Sequence, residues 1–354
     1  MFCGETIVPE RLTGPQLSFN FTIRKNISGG ENMKKVLSLI LILALVMLTG
    51  CGGGSKPEQA AQTPEETPEE TKPYRITLIL KNLVNPMWIA VKEGAESAAE
   101  KYGVKLTVLA PLKADNNEEQ IRQVEDAITQ QVDALVLIPA DSQGIIPAVE
   151  KANQAGIPVI NVNTKVAGGK TETFVAVENY DAASKVAEAV AERLGGKGKI
   201  IILEGKAGAQ SAVDLKQGAV DTFAKYENIE IVASQTANWN RAEAMQVTQN
   251  LLQAHPDVDA IFASNDEMAM GAVEAVDQAG LTGKIIIAGL DANRDALEAI
   301  KEGKMTITCD KRGFEQGYVG VETAVKVLNN ETVDERIVID TTIVDESNVD
   351  EFLK

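Results

Sequence analysis

The stretches "MWIAVKEGAESAAEKYGVKLTVLA" (residues 87–110) and "SAVDLKQGAVDTFAKYENIEIVAS" (residues 211–234) align over their whole length, so the second half of this sequence repeats the first. Gly94 aligns with Gly218 at a spacing of 124 residues. Farther along, "AVEKANQAG" matches "AVEAVDQAG" at the same spacing, and "VDALVLIPAD" matches "VDAIFASNDE". Because strands, helices and turn glycines recur in the same order, the pattern predicts two similar structural units.

Each unit reads as alternating strands and helices. "YRITLILK" and "VDALVLIP" are short apolar runs typical of buried strands, and "NPMWIAVKEGAESAAEKYG" is an amphipathic helix that ends at Gly103. Apolar strands separated by helices predict a parallel sheet that is covered on both faces. The predicted fold class is therefore α/β, with two similar Rossmann-like lobes whose parallel sheets are flanked by helices.

Two lobes in one chain create a cleft, and ligands of open α/β sheets bind beyond the carboxyl ends of the strands. The residues that follow the predicted strands are rich in amides and carboxylates. The chain's only two tryptophans, Trp88 and Trp239, fall among them, one in each lobe. Amides and carboxylates bond vicinal hydroxyls, and an indole face covers the C–H side of a sugar ring. This combination predicts a small polyhydroxylated ligand.

A purely structural interpretation exists for several of these residues. Asn and Asp directly after a strand commonly cap the next helix, which applies to Asp141 and Asp266. Trp88 has a second interpretation as part of a helix core. The convergence of both tryptophans on one predicted cleft favours the binding interpretation.

The N-terminal region predicts export. "MKKVLSLILILALVMLTGC", residues 33–51, combines two lysines, a short apolar core and small residues before Cys51. That layout is typical of a secretory signal, and the apolar run is too short for a comfortable membrane span, although an anchor or a buried helix is the alternative. We interpret residues 1–32 as untranslated or disordered, residues 33–50 as the signal peptide, and residues 51–73 as a disordered acidic tether.

Composition and motifs exclude several classes of protein. The formal net charge of −17 argues against nucleic acid or anionic lipid as a partner, because both require basic patches. We find no GxSxG, GxGxxG or metal-ligand cluster, and the single histidine, His255, reads as a surface turn residue. We therefore expect no catalytic residues, no cofactor and no metal.

Several stretches carry a family resemblance. "NLVNPMWIAVKEGA", "GIPVINVNT" and "QNLLQAHPDVDAIFASNDEMAMGAV" resemble signature stretches of the periplasmic sugar-binding proteins of ABC transporters, most closely the ribose-binding type, and "NDEMAMGA" is the most specific of them. The resemblance covers residues 74–354. It implies a three-strand hinge, closure of the lobes around one small sugar or polyol, and delivery to a membrane permease powered by a separate ATPase. The expected protein is a monomer.

The resemblance also suggests lobe boundaries and an anchor. We assign residues 74–177 and 312–337 to the N-terminal lobe, and residues 178–311 and 338–354 to the C-terminal lobe. "LTGC" resembles the lipobox of bacterial lipoproteins, which implies cleavage before Cys51 and lipid attachment to its sulfur. With Cys51 lipidated, no intramolecular disulfide is expected.

Part of the family's sugar pocket carries over to this chain. The matching positions hold an amide and two stacking residues in the first lobe, and an aromatic residue, an amide and a carboxylate in the second. They are Asn85, Met87, Trp88, Trp239, Asn265 and Asp291.

Both arginines of the ribose-binding pattern are absent. Asn163 and Thr164 stand where ribose binders have an Asp-Arg pair, and Val213, with Asp214 beside it, stands where they carry a second arginine. Because the fork of an arginine is not replaced without changing geometry, ribose is a doubtful ligand. Another pentose, a hexose, a sugar alcohol or a ring-opened derivative is favoured.

Two lysines also depart from the pattern. Lys311 replaces a hinge glutamine and Lys81 replaces a small polar residue. In the pocket they would tolerate an anionic or keto group, whereas the structural alternative is a solvated strand end.

Rival functions remain open at this point. A receptor that reports a sugar or an autoinducer-type furanose to a chemoreceptor or sensor kinase would share the same binding lobes. A regulator of the lac-repressor type would need an N-terminal helix-turn-helix, whereas this chain has an export signal.

Overall fold

The structure, a computed structural model, describes residues 72–354, so the predicted signal peptide and Cys51 lie outside the described residues. Two six-stranded sheets form two lobes. The elements of lobe 1 are β1 (Arg75–Ile79), α1 (Pro86–Tyr102), β2 (Lys105–Leu109), α2 (Asn117–Thr129), β3 (Ala134–Leu137), α3 (Ile146–Gln154), β4 (Val159–Val162), β5 (Thr173–Ala176), α9 (Gly313–Leu328) and β11 (Arg336–Val338).

Lobe 2 repeats this arrangement. Its elements are α4 (Asn179–Arg193), β6 (Lys197–Glu204), α5 (Gln210–Phe223), β7 (Asn228–Thr236), α6 (Arg241–Ala254), β8 (Ala260–Ala263), α7 (Asp266–Gln278), β9 (Ile286–Ala288), α8 (Arg294–Lys301), β10 (Ile307–Asp310), β12 (Thr342–Asp345) and α10 (Val349–Phe352).

The strand orders of the two sheets correspond. They are β11-β5-β4-β3-β1-β2 in lobe 1 and β12-β10-β9-β8-β6-β7 in lobe 2. In lobe 1, strand β1 runs parallel to both neighbours, with Ile76 opposite Ala134 on β3 and Leu106 on β2. Helices cover both faces of each sheet and bury separate apolar clusters there. The predicted α/β architecture of two similar lobes is confirmed.

The glycines that revealed the repeat lie where two helices touch. A Cβ on Gly94 of α1 would lie 1.8 Å from the backbone oxygen of Phe314 on α9, and a Cβ on Gly218 of α5 would lie 2.3 Å from that of Tyr180 on α4. Each glycine therefore permits a close helix–helix contact that any larger residue would block. The pair α1 and α9 in lobe 1 corresponds to the pair α5 and α4 in lobe 2. The helix α9 comes from the far end of the chain.

The chain crosses between the sheets three times. It leaves lobe 1 after β5, returns between β10 and α9, and leaves again between β11 and β12. Only three residues separate β11 from β12, so the chain enters the lobe 2 sheet directly from its cleft side. For that reason β12 runs antiparallel to β10, which differs from the all-parallel sheet that the sequence predicted.

Within residues 72–354, every helix is too short or too polar to span a bilayer.

Candidate ligand-binding site

A cavity lies between the lobes at the carboxyl ends of both sets of strands. The space between the lining residues is about 370 Å³ when the part that is open to solvent is included. The cavity is lined by Lys81, Asn85, Trp88, Asp115, Asn163, Ser211, Leu215, Trp239, Asn265, Asp291 and Lys311.

The two tryptophans are the large apolar surfaces of this cavity. Trp88 lies in the first turn of α1, is 8% exposed and also packs in the apolar cluster of lobe 1. Trp239 lies in the turn before α6 and is half-buried. A Cβ on Gly205 would lie 2.0 Å from the Trp239 ring, so the indole occupies space that only glycine leaves open at that position. Each lobe thus contributes one indole.

Two asparagines combine a capping role with a binding role. The Oδ1 atom of Asn85 accepts a hydrogen bond from the Met87 backbone N–H (2.9 Å) at the start of α1. Asn265 does the same for the Met268 N–H (2.9 Å) at the start of α7. Because the cap uses the amide oxygen, the NH₂ group of each side chain is available to a ligand oxygen.

Unusual backbone conformations concentrate around the cavity. Asp115, Asn163, Trp239 and Asp291 have φ values of 55°, 61°, 63° and 132°. Left-handed conformations of residues with side chains cost energy and persist where surrounding structure holds them. Four of the eleven lining residues therefore depend on tertiary contacts for their orientation.

The cavity contains two ammonium groups in different surroundings. Lys311 Nζ lies 3.3 Å from Asp291 Oδ1, and both residues are buried. Lys81 is 3% exposed, and its Nζ has no hydrogen-bond or ion-pair partner among the described residues. It lies 5.3 Å from the ring centroid of Trp88 and 5.9 Å from that of Trp239. These distances are within cation–π range.

Burial dominates the electrostatics of these groups. It lowers the pKa of Lys81 to about 8, partly offset by the charge of Asp115. Burial also raises the pKa of Asp291 and of Asp115, against the opposing effects of Lys311 and Lys81, respectively. The cavity thus offers a cation without a partner and carboxylates whose charge is costly, both of which favour a ligand rich in hydroxyls.

Asp266 supports the site from behind. Its carboxylate accepts hydrogen bonds from Thr308 Oγ1 (2.7 Å) and from the Asn293 N–H (2.8 Å), which ties the Asp291 loop to β10. Complete burial raises the pKa of Asp266 well above its usual range. Asp266 therefore has a structural role, but Asn265 and not Asp266 caps α7. Asp141 also bonds locally, because its Oδ1 accepts from the Gly144 N–H (2.7 Å), but it does not cap α3.

The lobes are closed over the cavity. Lys206 Nζ of lobe 2 donates to the backbone oxygen of Asp115 (2.5 Å). The Ser142 N–H donates to the Gly208 oxygen (2.9 Å), and the Gln210 N–H donates to Ser142 Oγ (3.0 Å). One segment of lobe 2, residues 206–211, supplies all three contacts. We call it the closure segment.

Eight of the eleven binding residues predicted from the sequence line the cavity. Met87 does not: it is buried and lines an adjacent groove, because it is one residue, and so about 100° of helix rotation, away from Trp88. Thr164 lies behind Asn163, and its Oγ1 bonds Ser211 Oγ across the lobes (3.0 Å). Asp214 lies outside the cavity and accepts from Gln210 Nε2 (2.8 Å).

Three lining residues are not among the eleven predicted ones. Ser211 and Leu215 are four residues apart on α5 and so share the face toward the cavity, whereas Asp214 is turned away from it. Asp115 comes six residues after β2, in a loop whose position relative to the cavity depends on how the chain folds back. A search for carboxylates after every strand would have made Asp115 a candidate, but would not have placed it at the cavity. Among residues 72–354, none of the arginines lines the cavity.

Comparisons with known proteins agree with this geometry. A family described as "Periplasmic binding protein domain" matches residues 76–332. This chain is a periplasmic binding protein. It is 37% identical to the ribose import binding protein of Bacillus subtilis over 86% of this chain and 97% of that one. The family resemblance and the fold class predicted from the sequence are confirmed.

Two solved structures of similar solute-binding proteins contain a sugar or a cyclitol. One is an ABC transporter solute-binding protein from Actinobacillus succinogenes with bound D-allose, which is 38% identical (TM-score 0.75, 79% of this chain, 100% of that one). Another is an ABC transporter solute-binding protein from Bacillus halodurans with bound myo-inositol, which is 30% identical (TM-score 0.75, 79% of this chain, 97% of that one).

Proposed function

We propose that this protein is the solute-binding component of an ABC importer and binds one small sugar or polyol in the cavity between its lobes. The observation that carries the proposal is the pair of indoles, one from each lobe, surrounding a closed cavity lined with amides and carboxylates. Indole faces cover C–H surfaces, and the polar groups bond hydroxyls. The relatives that bind ribose, D-allose and myo-inositol support this class of ligand.

Binding would act by selecting the closed arrangement of the lobes. A ligand that contacts both Trp88 of lobe 1 and Trp239 of lobe 2 interacts fully only when the lobes are closed. The three crossings between the sheets are the natural hinge for this motion. The function is binding without chemistry, followed by recognition of the closed lobes by a permease.

The N-terminal region completes the proposal. Cys51 would carry lipid and hold the protein on the outer face of the membrane, and residues 51–73 would form the tether that lets the lobes reach the permease. Mass spectrometry of protein isolated from membranes tests this point, because the anchor requires a lipidated N-terminal cysteine at position 51. An unmodified Cys51 would contradict it.

A thermal-shift screen tests the binding function. The purified protein is heated with pentoses, hexoses, sugar alcohols, inositols and autoinducer-type furanoses, each at millimolar concentration. A ligand at a hundred times its Kd adds about 2.7 kcal/mol to the free energy of unfolding, which raises Tm by several degrees. A hit that disappears in Trp239→Ala and Asp291→Ala supports the proposal, and absence of any shift across the panel contradicts it.

Asp214→Ala is the matched control for this screen. Asp214, like Asp291, is an aspartate that the sequence predicts as a ligand contact, but it lies outside the cavity. The control should keep the full thermal shift. If Asp214→Ala loses the shift as completely as Asp291→Ala, the ligand does not bind in this cavity.

A further inference from the structure

An ionic cluster on lobe 2 lies directly behind three of the cavity loops. Arg241 is the first residue of α6, Glu267 the second of α7 and Asp295 the second of α8. Arg241 Nη2 donates to Glu267 Oε1 (2.9 Å) and also to the carboxylate of Asp295. A single guanidinium group thus joins the N-termini of three helices.

Each of these helices follows a loop that carries one cavity residue. Trp239 lies two residues before Arg241, Asn265 two before Glu267, and Asp291 four before Asp295. The cluster therefore connects the three lobe 2 loops that supply an indole, an amide and a carboxylate to the cavity.

Two of these three loops have backbones that need external support. Asn238 and Trp239 have φ values of 53° and 63°, and Asp291 and Ala292 have values of 132° and 57°. Two consecutive left-handed residues without glycine are costly, and such conformations persist only where contacts elsewhere hold them. Arg241 begins the helix that follows the first turn, and its guanidinium bonds Asp295 on the helix that follows the second.

The charge of Arg241 does not stabilise its own helix, so we attribute the residue to its contact with the two carboxylates. A cation at a helix N-terminus is unfavourable with the helix dipole, whereas Glu267 and Asp295 are favourable at theirs. The side chains of Arg241, Glu267 and Asp295 are 31%, 18% and 37% exposed, so this ion cluster is partly shielded from solvent. Both carboxylates accept from the same nitrogen, Nη2, whose position is set by the long, planar arginine side chain. A lysine ammonium lies on a shorter, flexible stem and would not reach the same position with the same geometry.

We propose that Arg241 is a positioning residue for the binding site, which holds the turns of Trp239 and Asp291 by bridging Glu267 and Asp295. This inference rests on the proposed function for its effect on affinity. Its effect on the conformation of the Trp239 turn is independent of any ligand.

Arg241→Lys tests the inference, with Arg193→Lys as the matched control. Arg193 is also 31% exposed, also belongs to lobe 2 and donates to one carboxylate, that of Asp345, away from the cavity. Both substitutions are made in a Trp88→Phe background, which leaves Trp239 as the only tryptophan. Emission maximum and acrylamide quenching then report on the Trp239 turn without any ligand.

We expect Arg241→Lys to raise the acrylamide quenching constant of Trp239 about twofold, while Arg193→Lys leaves it unchanged at a similar Tm. Asp295→Asn, which keeps the Arg241–Glu267 pair, should give an intermediate change. Equal quenching in Arg241→Lys and Arg193→Lys overturns the proposal, and so does a change in quenching that only follows a fall in Tm.

Titration with D-allose, with both tryptophans present, measures the consequence for binding. We expect Arg241→Lys to weaken the affinity about tenfold and Arg193→Lys less than twofold. If the unmodified protein does not bind D-allose, the proposed ligand class fails for this sugar, while the quenching comparison still decides the role of Arg241. If it binds and both variants bind equally well, the positioning role is wrong.

Discussion

The two lobes bring the same chemistry to the cavity through different local structures. In lobe 1, the amide of Asn85 and the indole of Trp88 lie within one helix start, where α1 has ordinary backbone geometry. In lobe 2, the amide of Asn265 lies at α7, but the indole comes from Trp239 in a left-handed turn before α6. The lobe 1 pair is fixed by local structure, whereas the lobe 2 pair depends on contacts between distant segments.

This difference indicates which substitutions should displace the indole of each lobe. Trp88 is both a core residue and a cavity residue, so its position follows from the packing of α1. Trp239 needs the space left by Gly205 and a turn that its own backbone does not favour. Substitutions away from the cavity should therefore affect the two indoles unequally.

The largest expected effect concerns the helix pair that both lobes share. Gly94→Ala places a Cβ against the backbone of α9 and should lower the free energy of unfolding by about 3 kcal/mol, because two backbones must move apart. Gly218→Ala should cost somewhat less, since its Cβ would lie 2.3 Å, not 1.8 Å, from the opposing oxygen. Chemical denaturation of both variants measures the difference.

Gly156→Ala is the control for this pair. Gly156 has a φ of 74° and no atom within 4 Å of a new Cβ, so only backbone strain opposes its substitution. Its cost should be well below that of Gly94→Ala. Equal losses for all three variants would show that helix contact is not what these glycines provide.

The second effect concerns the two cavity lysines. Lys311 is paired with Asp291, whereas Lys81 is buried without a partner among the described residues and has a pKa of about 8. The unfolded chain keeps the proton up to the ordinary lysine pKa of about 10.4, so between pH 8 and 10 unfolding takes up a proton. Stability should therefore rise with pH in this window, whereas below pH 8 the cost of burying the ammonium is fully present.

Lys81→Met isolates this contribution. Relative to the variant, the unmodified protein should gain on the order of 2 kcal/mol between pH 7 and pH 10. Ligand affinity should move in the opposite direction and weaken above pH 8, because the neutral amine is a poorer donor to a ligand oxygen. Parallel pH profiles of stability for the two proteins would mean that Lys81 is not a buried cation.

Most of the fold was predictable because its signals are local or repeated. The glycines of the repeat, the apolar strands and the asparagine caps each have a meaning that sequence spacing conveys. The same reasoning found Asn85 and Trp88, which lie at the start of α1, the helix that follows β1.

What sequence could not give is the direction of a side chain on a helix or the path of a long loop. Met87 and Trp88 are adjacent in sequence, but only Trp88 lines the cavity, whereas Met87 lines the adjacent groove. Asp214 and Leu215 are also adjacent, and only Leu215 lines the cavity. Asp115 reaches the cavity only because its loop folds back, with its N–H donating to the Lys81 oxygen (3.0 Å). The direction of β12 likewise depends on the side from which the chain enters the sheet.

A third prediction addresses the Trp239 turn. Gly205→Ala places a methyl carbon 2.0 Å from the indole ring of Trp239 and should displace this side chain from the cavity. We expect a loss of sugar affinity of about tenfold, or about 1.4 kcal/mol, with Trp88 unaffected. Fluorescence of Trp88→Phe and Trp239→Phe backgrounds distinguishes the two indoles, and a larger change at Trp88 would contradict the comparison.

The smallest expected effect lies between the lobes, at the closure segment. Ser142→Ala removes the acceptor for the Gln210 N–H, a hydrogen bond that forms only when the lobes are closed. A typical hydrogen bond contributes about 1 kcal/mol, so ligand affinity should fall about fivefold while the stability of each lobe is nearly unchanged. Titration with the ligand found in the thermal-shift screen measures this loss. Ser184→Ala is the control, because its hydroxyl donates to the Gly218 oxygen (3.2 Å) within lobe 2 and does not sense closure. If Ser184→Ala weakens binding as much as Ser142→Ala, the hydrogen bond from the closure segment to Ser142 does not stabilise the closed lobes.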